Sequence, residues 1–384
     1  MEKLPDYLLY GFGIASIGGP LAIVALYLFT TFQPNPGYLF ISTLIGILLF
    51  LFPLKIWYDY SKRTASSGGL YEFVRIAANE RIARVQGYLW IFSYALYLPY
   101  TITYMLFYLL PDFIALPQAY LYALEIILPV GMSLSMLLGK RAVLWFLTVI
   151  AVLQLVLIGA LDYTAAGAGV AAPISNMTQS NALGIGAGAI SVSLLFICGS
   201  LILFMGGEAN DPRRTIRKIL VVSFAIVALF VLASSVFLYG PFNSMKPGCY
   251  ICGFAMAEVY TNQYFAFAIG LFALLSTAAL IYAEFFALSR VMYSMLKIKI
   301  QNSIIYISAF FIIADAISIA NPIAFYNYTL APSLVALFAS QLIVFAVYPS
   351  YMGRYFRASA ASYAIAIISS VLVVYGLYGI LVGL

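Results

Sequence analysis

Long apolar runs separated by short polar connections make up most of this chain. Eleven of these runs reach the roughly 20 residues that an α-helix needs to cross the hydrocarbon core of a bilayer. The predicted spans, numbered 1 to 11 in chain order, are residues 7–32, 37–57, 85–110, 118–139, 142–162, 185–207, 217–240, 263–289, 303–321, 323–349 and 360–382. The pattern predicts an all-α membrane protein in which no connection is long enough for a separate soluble domain.

Spans 1 and 6 are each interrupted at a similar depth. Span 1 breaks at Ser16-Ile17-Gly18-Gly19-Pro20, and span 6 breaks at Phe196-Ile197-Cys198-Gly199-Ser200. Unwound backbone inside a membrane is tolerated only where it lines a cavity, and paired breaks of this kind mark the binding sites of transporters. We therefore expect a small polar solute to bind at both breaks. The predicted binding residues are Ser16, Ile17, Gly18, Gly19, Phe196, Ile197, Cys198, Gly199 and Ser200. The alternative is that their glycines only allow close helix packing.

Spans 1 to 5 can be laid over spans 6 to 10. Because each unit has an odd number of spans, the two units would have opposite orientations in the membrane. This 5+5 inverted repeat, with discontinuous spans 1 and 6, predicts a first unit at 1–163, a linker at 164–184 and a second unit at 185–351. Span 11, within residues 352–384, is an addition outside the repeat.

Charge is sparse and lies almost entirely on one side of the predicted membrane. Only 8% of the residues are charged, and all of the 19 basic residues except Lys246 fall on the side that holds the N-terminus. The positive-inside rule then predicts a cytoplasmic N-terminus and, after eleven spans, an external C-terminus in the cell membrane. The first run is too long for a signal-peptide core and lacks a cleavage site, so we expect it to be span 1.

Residue types exclude several kinds of chemistry. The chain has no histidine, which removes histidine proton relays and most zinc sites. An enzyme is disfavoured because no span holds a cluster of acidic residues. A sensor is disfavoured because the chain has no extramembrane domain, and a channel is disfavoured because the spans are too apolar to line a pore. We expect no metal, no cofactor and no nucleic-acid partner, since membrane topology accounts for the basic residues.

Four motifs, in this order and spacing, resemble the amino acid–polyamine–organocation (APC) superfamily of transporters. Together they extend over spans 1 to 10. They are Ile17-Gly18-Gly19-Pro20, Ser67-Gly68-Gly69-x-Tyr71 followed by Gly87-Tyr88-Leu89-Trp90, Glu208-x-Asn210-x-Pro212-Arg213-Arg214-Thr215, and Ser289-Arg290-x-Met292-Tyr293. Gly19 and Pro20 stand where the family has Ser and Gly, so one hydroxyl and one backbone donor are missing.

This resemblance implies a leucine-transporter-type fold and secondary transport of amino acids or related amines. In such a fold, spans 1 and 6 rock against a scaffold of spans 3, 4, 8 and 9, which opens the site to each side in turn. The alternatives are a polyamine or organic-cation carrier and an amino-acid exchanger without ion coupling.

The break in span 1 offers both ends of a helix to a zwitterion. The half-helix that begins near Pro20 would present the N–H groups of Gly18, Gly19 and Leu21 to a carboxylate. Carbonyl groups near Ser16 and Ile17, and in the span 6 break, would accept an ammonium group. Aromatic residues near the breaks favour a small, neutral amino acid. These residues are Phe196, Phe204, Tyr94, Tyr97, Tyr100 and Tyr104.

Ion coupling has several candidate groups. The resemblance implies that Ser276 and Thr277 could hold Na⁺ through neutral oxygens, although such hydroxyls also bond to their own helix. Glu284, two turns after Thr277, could instead carry a proton. Glu125 and Asp315 also lie inside predicted spans. Each could be a functional group, or a neutral, protonated acid bonded to a tyrosine hydroxyl. Span 5 lacks the mid-span lysine of some proton-coupled relatives.

The predicted loops add four expectations. Gly68-Gly69 should precede a short amphipathic helix on the cytoplasmic surface. Glu208 could act as a gate by pairing with an arginine of residues 62–84. Cys249-x-x-Cys252 fits either a disulfide or two free thiols. Asn176-Met177-Thr178 is an external glycosylation sequon.

Overall fold

The chain folds as a bundle of membrane helices. The computed structural model describes residues 3–32, 36–167, 182–243 and 248–382, and no strand occurs within these ranges. Its α-helices, α1 to α17 in chain order, are Asp6–Ser16, Pro20–Ala22, Phe29–Phe32, Leu39–Arg63, Gly69–Ala77, Glu80–Tyr104, Gln118–Leu138, Lys140–Gly167, Ala182–Leu195, Pro212–Phe237, Tyr239–Asn243, Cys252–Tyr260, Gln263–Leu296, Ile300–Ser318, Pro322–Ala346, Tyr348–Tyr355 and Ala360–Val382.

Every predicted span coincides with a helical segment. Within the described part of the chain, ten segments are long and apolar enough to cross a membrane. The eleventh, α6, has 25 residues and is about 37 Å long, which also suffices. Its tyrosines lower its hydropathy, but most of them face other helices rather than lipid. The chain is therefore a multi-pass, all-α membrane protein with eleven spans, as the hydrophobic pattern predicts.

Span 1 breaks where the sequence predicts. Helix α1 ends at Ser16, and α2 begins at Pro20. Between them, Gly18 and Gly19 have φ angles of +75° and +64°, a region that only glycine enters without steric cost. Pro20 then suits a first helical position because its nitrogen carries no hydrogen. The chain continues as a π-helix over Ile23–Leu28 before α3.

Span 6 breaks at Phe196, which lies between two different kinds of helix. Helix α9 ends at Leu195, and residues Ile197–Glu208 form a 3-10 helix of 12 residues. Runs of 3-10 helix longer than three or four residues are uncommon, because their hydrogen-bond geometry is poor. The sequence pattern predicts the break but gives no sign of this tighter second half.

Helix contacts follow the inverted repeat. Span 2 packs on the first half of span 6, and its counterpart, span 7, packs on the first half of span 1. In the same way span 3 packs on span 10, and span 8 packs on span 5. A two-fold relation between spans 1–5 and 6–10 requires these paired contacts. The result is that both broken spans lie in the interior of the bundle.

Several predictions about the loops can be compared with the structure. The short helix after Gly68 is present as α5, and its apolar side is buried. Cys249 and Cys252 form a disulfide, which decides between the two alternatives left by the sequence. The sequon at Asn176 and most of the linker lie outside the described residues.

Glycine packing between spans 2 and 6 gives a stability prediction. A Cβ atom on Gly46 would lie 2.5 Å from the carbonyl oxygen of Ala189 and 2.8 Å from Cβ of Val192. We expect Gly46→Ala to lower the stability of the protein in detergent by about 1–3 kcal/mol, through overpacking. Gly131→Ala is the matched control because no atom lies within 4 Å of its added Cβ. Thermal unfolding should leave this control unchanged or raise its midpoint; equal destabilisation of both variants would contradict the packing account.

Candidate functional site

A cavity of about 410 Å³ lies where the two breaks meet. Both breaks, the second half of span 1 and spans 3, 8 and 10 contribute to its wall. The lining residues are Gly18, Ile23, Tyr27, Tyr97, Tyr100, Thr101, Tyr104, Leu194, Leu195, Ile197, Cys198, Leu280, Tyr326, Leu330, Leu334, Leu337 and Phe338. The wall is therefore apolar and aromatic, with few polar groups, which is typical of sites for small molecules.

Three of the nine residues predicted at the breaks reach this cavity, namely Gly18, Ile197 and Cys198. Two others, Ile17 and Gly199, lie against each other between the breaks. A Cβ added to Gly199 would be 3.2 Å from the Ile17 side chain. Phe196 points elsewhere and packs on two other phenylalanines, Phe50 and Phe224.

The remaining three predicted residues contact other protein groups rather than the cavity. The hydroxyl groups of Ser16 and Ser200 donate to carbonyl oxygens of their own segments, those of Gly13 and Ile197. Gly19 lies against span 8, where an added Cβ would be 2.3 Å from Oγ of Ser276. This close approach, besides its φ angle, explains why the position needs glycine.

The first amide groups of the half-helix after the break are bonded to side chains of spans 5 and 8. Leu21 N–H donates to Oε1 of Gln154 over 3.2 Å, and Ala22 N–H donates to Oγ of Ser276 over 3.2 Å. The Ser276 hydroxyl in turn donates to the same Gln154 oxygen over 2.8 Å. Gly19 N–H donates to the carbonyl of Ala15. Most of the donors expected for a substrate carboxylate thus already have protein acceptors.

Gln154 is the residue that the sequence reasoning missed. It is fully buried at the middle of span 5, and its Nε2 has no hydrogen-bond partner among the described residues. A single amide within an otherwise apolar span was the available signal, because buried polar groups in membranes are costly and often functional.

The two hydroxyl groups proposed for Na⁺ have different partners. Ser276 bridges spans 1 and 5, as described above. Thr277 Oγ1 donates to the carbonyl of Ala273, one turn earlier in its own helix, over 3.0 Å. Its contact is thus the ordinary back-bond of a helical threonine.

Tyrosines surround the cavity on one side. Tyr97, Tyr100 and Tyr104 of span 3 line it as the sequence suggests, and Tyr27 and Tyr326 complete the set. Of the other aromatic residues considered, Phe204 lies away from the cavity and packs on Trp90, with ring centroids 4.6 Å apart. Tyr94 lies behind the wall, with its hydroxyl 3.9 Å from Sγ of Cys198.

Glu284 is the carboxyl group nearest to the break in span 6. It is fully buried, and its Oε1 lies 4.0 Å from Sγ of Cys198, which lines the cavity. Its Oε2 has no hydrogen-bond partner among the described residues. An unpaired carboxylate in such surroundings is costly, so Glu284 is suited to hold a proton or to meet a cationic group.

Stacked tyrosines lie on the side of the cavity away from the N-terminus. Tyr326 stacks on Tyr104 with centroids 5.5 Å apart, and Tyr108 lies between Tyr326 and Tyr250. Tyr250 belongs to the loop that holds the disulfide. Its N–H donates to Oδ2 of Asp112 over 3.1 Å, which fixes the loop to the end of span 3.

A buried ion pair lies at the opposite end of the bundle. Glu208 Oε1 is 2.5 Å from a guanidinium nitrogen of Arg290 and 3.8 Å from Nζ of Lys140. The predicted partner, an arginine of residues 62–84, is wrong, because Glu208 pairs instead with Arg290 of α13, the helix that contains span 8. Leu4 N–H donates to the Glu208 carbonyl, so the N-terminal segment joins this contact.

Comparison with solved structures identifies the fold. A Na⁺-coupled sialic acid symporter, in a substrate-bound outward-open state, matches with a TM-score of 0.60 over 99% of this chain and 90% of that chain, at 12% identity. The manganese transporter of Eremococcus coleocola, in complex with an aromatic bis-isothiourea substituted compound, matches with a TM-score of 0.59 over the same shares, at 14% identity.

The chain therefore has a membrane-transporter fold. At this level of identity the likeness shows the fold alone. No protein-family profile matches the sequence, and no curated protein matches it. Membership of the APC superfamily accordingly stays a prediction from the motifs.

The Glu208–Arg290 pair yields a stability prediction. Glu208→Gln would leave the buried Arg290 cation without its partner, which typically costs about 3–5 kcal/mol. We expect a clear fall in the thermal midpoint of the purified protein. Arg84→Gln, which removes the exposed pair with Glu80 and leaves the Tyr71–Glu80 hydrogen bond in place, is the control and should leave the midpoint unchanged. A Glu208→Gln midpoint equal to that of the control would contradict a role for the pair in closing this end.

Proposed function

We propose that the chain is a secondary transporter that moves a small amino acid or a related amine across the cell membrane by alternating access. The observation that carries this proposal is the cavity at the two helix breaks, with stacked tyrosines on one side and a buried ion pair at the opposite end of the bundle. Such a site must open to each side in turn, since nothing in it suggests a continuous path.

Movement of the broken spans is the proposed opening step. Gly18 and Gly19 supply a hinge between the halves of span 1, and Phe196 lies at the equivalent point of span 6. Separation of Glu208 from Arg290 would open the side that holds the N-terminus. Displacement of Tyr326 from Tyr104 would open the other side. The distribution of basic residues supports a cytoplasmic position for the N-terminus.

The cavity supports a solute with an ammonium group and a compact apolar body. Tyrosine rings attract cations. Glu284 lies behind Cys198, one layer of side chains from the cavity, and would supply a negative charge there. Leucine side chains line the opposite part of the wall and suit an apolar substituent. A small, neutral amino acid fits this description if its carboxylate replaces the Gln154 or Ser276 contact with the span 1 amides.

One observation favours an amine without a carboxylate as the second candidate. The amides of Leu21 and Ala22 already have acceptors, and Pro20 has no amide hydrogen. A carboxylate would therefore have to break existing hydrogen bonds within the bundle. An organic amine would need no such change.

Glu284 is the proposed coupling group. A neutral, protonated carboxyl is the less costly form in the empty cavity, and an arriving ammonium group would favour release of that proton. Sodium coupling through Ser276 and Thr277 is the alternative, and it requires that Ser276 exchange its protein partners for the ion.

A ligand screen distinguishes these substrates. A ligand at a hundred times its dissociation constant adds about 2.7 kcal/mol of stability. Each compound would be tested both with and without sodium. We expect at least one small amino acid or amine to raise the thermal midpoint of the purified protein. Stabilisation by an amine but not by the amino acid with the same side chain would select the second candidate. No stabilisation by any compound carrying an ammonium group would contradict the proposal.

Glu284→Gln tests the acid. The variant keeps the shape of the side chain but removes its charge, so we expect the affinity for the stabilising amine to fall at least about tenfold, which is 1.4 kcal/mol. Binding should also lose its dependence on pH. Asp162→Asn is the control, because Asp162 is a buried acid whose Oδ2 accepts a hydrogen bond from Ser234, away from the cavity wall. Unchanged amine affinity in Glu284→Gln would overturn the assignment.

A further inference from the structure

A second group of buried oxygen atoms lies outside the cavity, between spans 3, 4 and 9. Its members are Thr103, Glu125, Asp315 and Ser318, and each is fully buried. None of the four lines the central cavity. The group thus has no part in the transport site proposed above, and its role is a separate question.

Hydrogen bonds bring three of these side chains to one point. The hydroxyl groups of Thr103 and Ser318 both donate to Oε1 of Glu125, over 2.5 and 2.6 Å. The Asp315 carbonyl oxygen, 2.8 Å from Ser318 Oγ, is a second acceptor for the same hydroxyl hydrogen. Spans 3, 4 and 9 therefore meet at a single carboxylate oxygen.

Three carboxylate oxygens at this point lack partners. Oε2 of Glu125 and both Oδ1 and Oδ2 of Asp315 have no hydrogen-bond donor among the described residues. Asp315 lies one turn before Ser318 on the same face of α14, and the Ser318 hydroxyl bonds to Glu125. Two carboxylates in an apolar interior repel each other and are each costly to bury, unless they take up protons or a positive charge lies between them.

We propose that this group binds a small hard cation, of the sodium or calcium type. Its ligands would be the free oxygens of Glu125 and Asp315, together with the lone pairs of the Thr103 and Ser318 hydroxyls. Carboxylate and hydroxyl oxygens suit hard cations, whereas softer metals such as zinc and copper favour nitrogen or sulfur. Among the described residues no group of three or more His, Cys, Asp or Glu side chains could hold a metal ion, so this site would depend on two carboxylates and two hydroxyl groups.

The group lies in the half of the bundle away from the N-terminus. Thr103 and Ser318 lie in the last turns of α6 and α14, and Glu125 lies in the second turn of α7. All three helix ends are on the same side of the membrane, away from the N-terminus. A cation here would hold together three of the four spans of the predicted scaffold, so its effect is on stability and rigidity rather than on the substrate.

Thermal unfolding in different chloride salts tests the site directly. Purified protein would be compared in N-methyl-D-glucamine, lithium, sodium, potassium, magnesium and calcium chloride at constant ionic strength. We expect at least one inorganic cation to raise the midpoint by more than about 2 °C, with saturation at higher concentration. Asp315→Asn should abolish this rise. Ser318→Ala should weaken the apparent affinity without abolishing it, which keeps the test valid if Asp315→Asn folds poorly.

Two control variants separate this site from the others. Glu284→Gln removes the acid near the central cavity, and Asp162→Asn removes a buried acid away from both sites. Both variants should keep the full cation-dependent rise of the thermal midpoint. The proposal is overturned if no inorganic cation raises the midpoint of the wild-type protein. It is also overturned if the rise persists in Asp315→Asn, or if it disappears in Glu284→Gln, which would move the ion to the central cavity. A failure here would leave the transport proposal intact, since amine binding is measured separately.

Discussion

The backbone amides at the start of the second half of span 1 impose the main constraint on this structure. Free N–H groups cannot remain without acceptors in the interior of a membrane bundle. Gln154 and Ser276 supply those acceptors from spans 5 and 8, and one oxygen of Gln154 serves both Leu21 and Ser276. The break can persist only because these spans hold it, and the cavity exists only because the break persists. Any carboxylate substrate must compete with the same two side chains.

The two ends of the bundle are closed by different physical means. Aromatic stacking of Tyr104, Tyr108 and Tyr326 depends on contact area and can shift in small steps. The Glu208–Arg290 pair is buried, and separation of its charges has a large energetic cost unless water enters. The end near the N-terminus should therefore open in one concerted step, and the other end more gradually. A cation between spans 3, 4 and 9 would keep the scaffold fixed while either end moves.

The features that could be predicted from the sequence are those that depend on residues close together in the chain. The break in span 1 follows from Gly18, Gly19 and Pro20, whose backbone preferences act at their own positions, and the spans follow from long apolar runs. Contacts between distant segments could not be predicted in this way. Gln154 and Leu21 are 133 positions apart, and Glu208 and Arg290 are 82 apart. Likewise, aromatic residues make up 16% of the chain, so only the fold distinguishes Tyr27 and Tyr326 from the others.

Labelling of Cys198 would test alternating access most directly. Cys198 lines the cavity and is the single thiol outside the disulfide. A charged, membrane-impermeant methanethiosulfonate reagent would be applied to either side of oriented vesicles, with and without a stabilising amine. The account predicts modification from one side at a time and protection by the bound amine. Equal modification from both sides under one condition, or modification that no ligand slows, would contradict it.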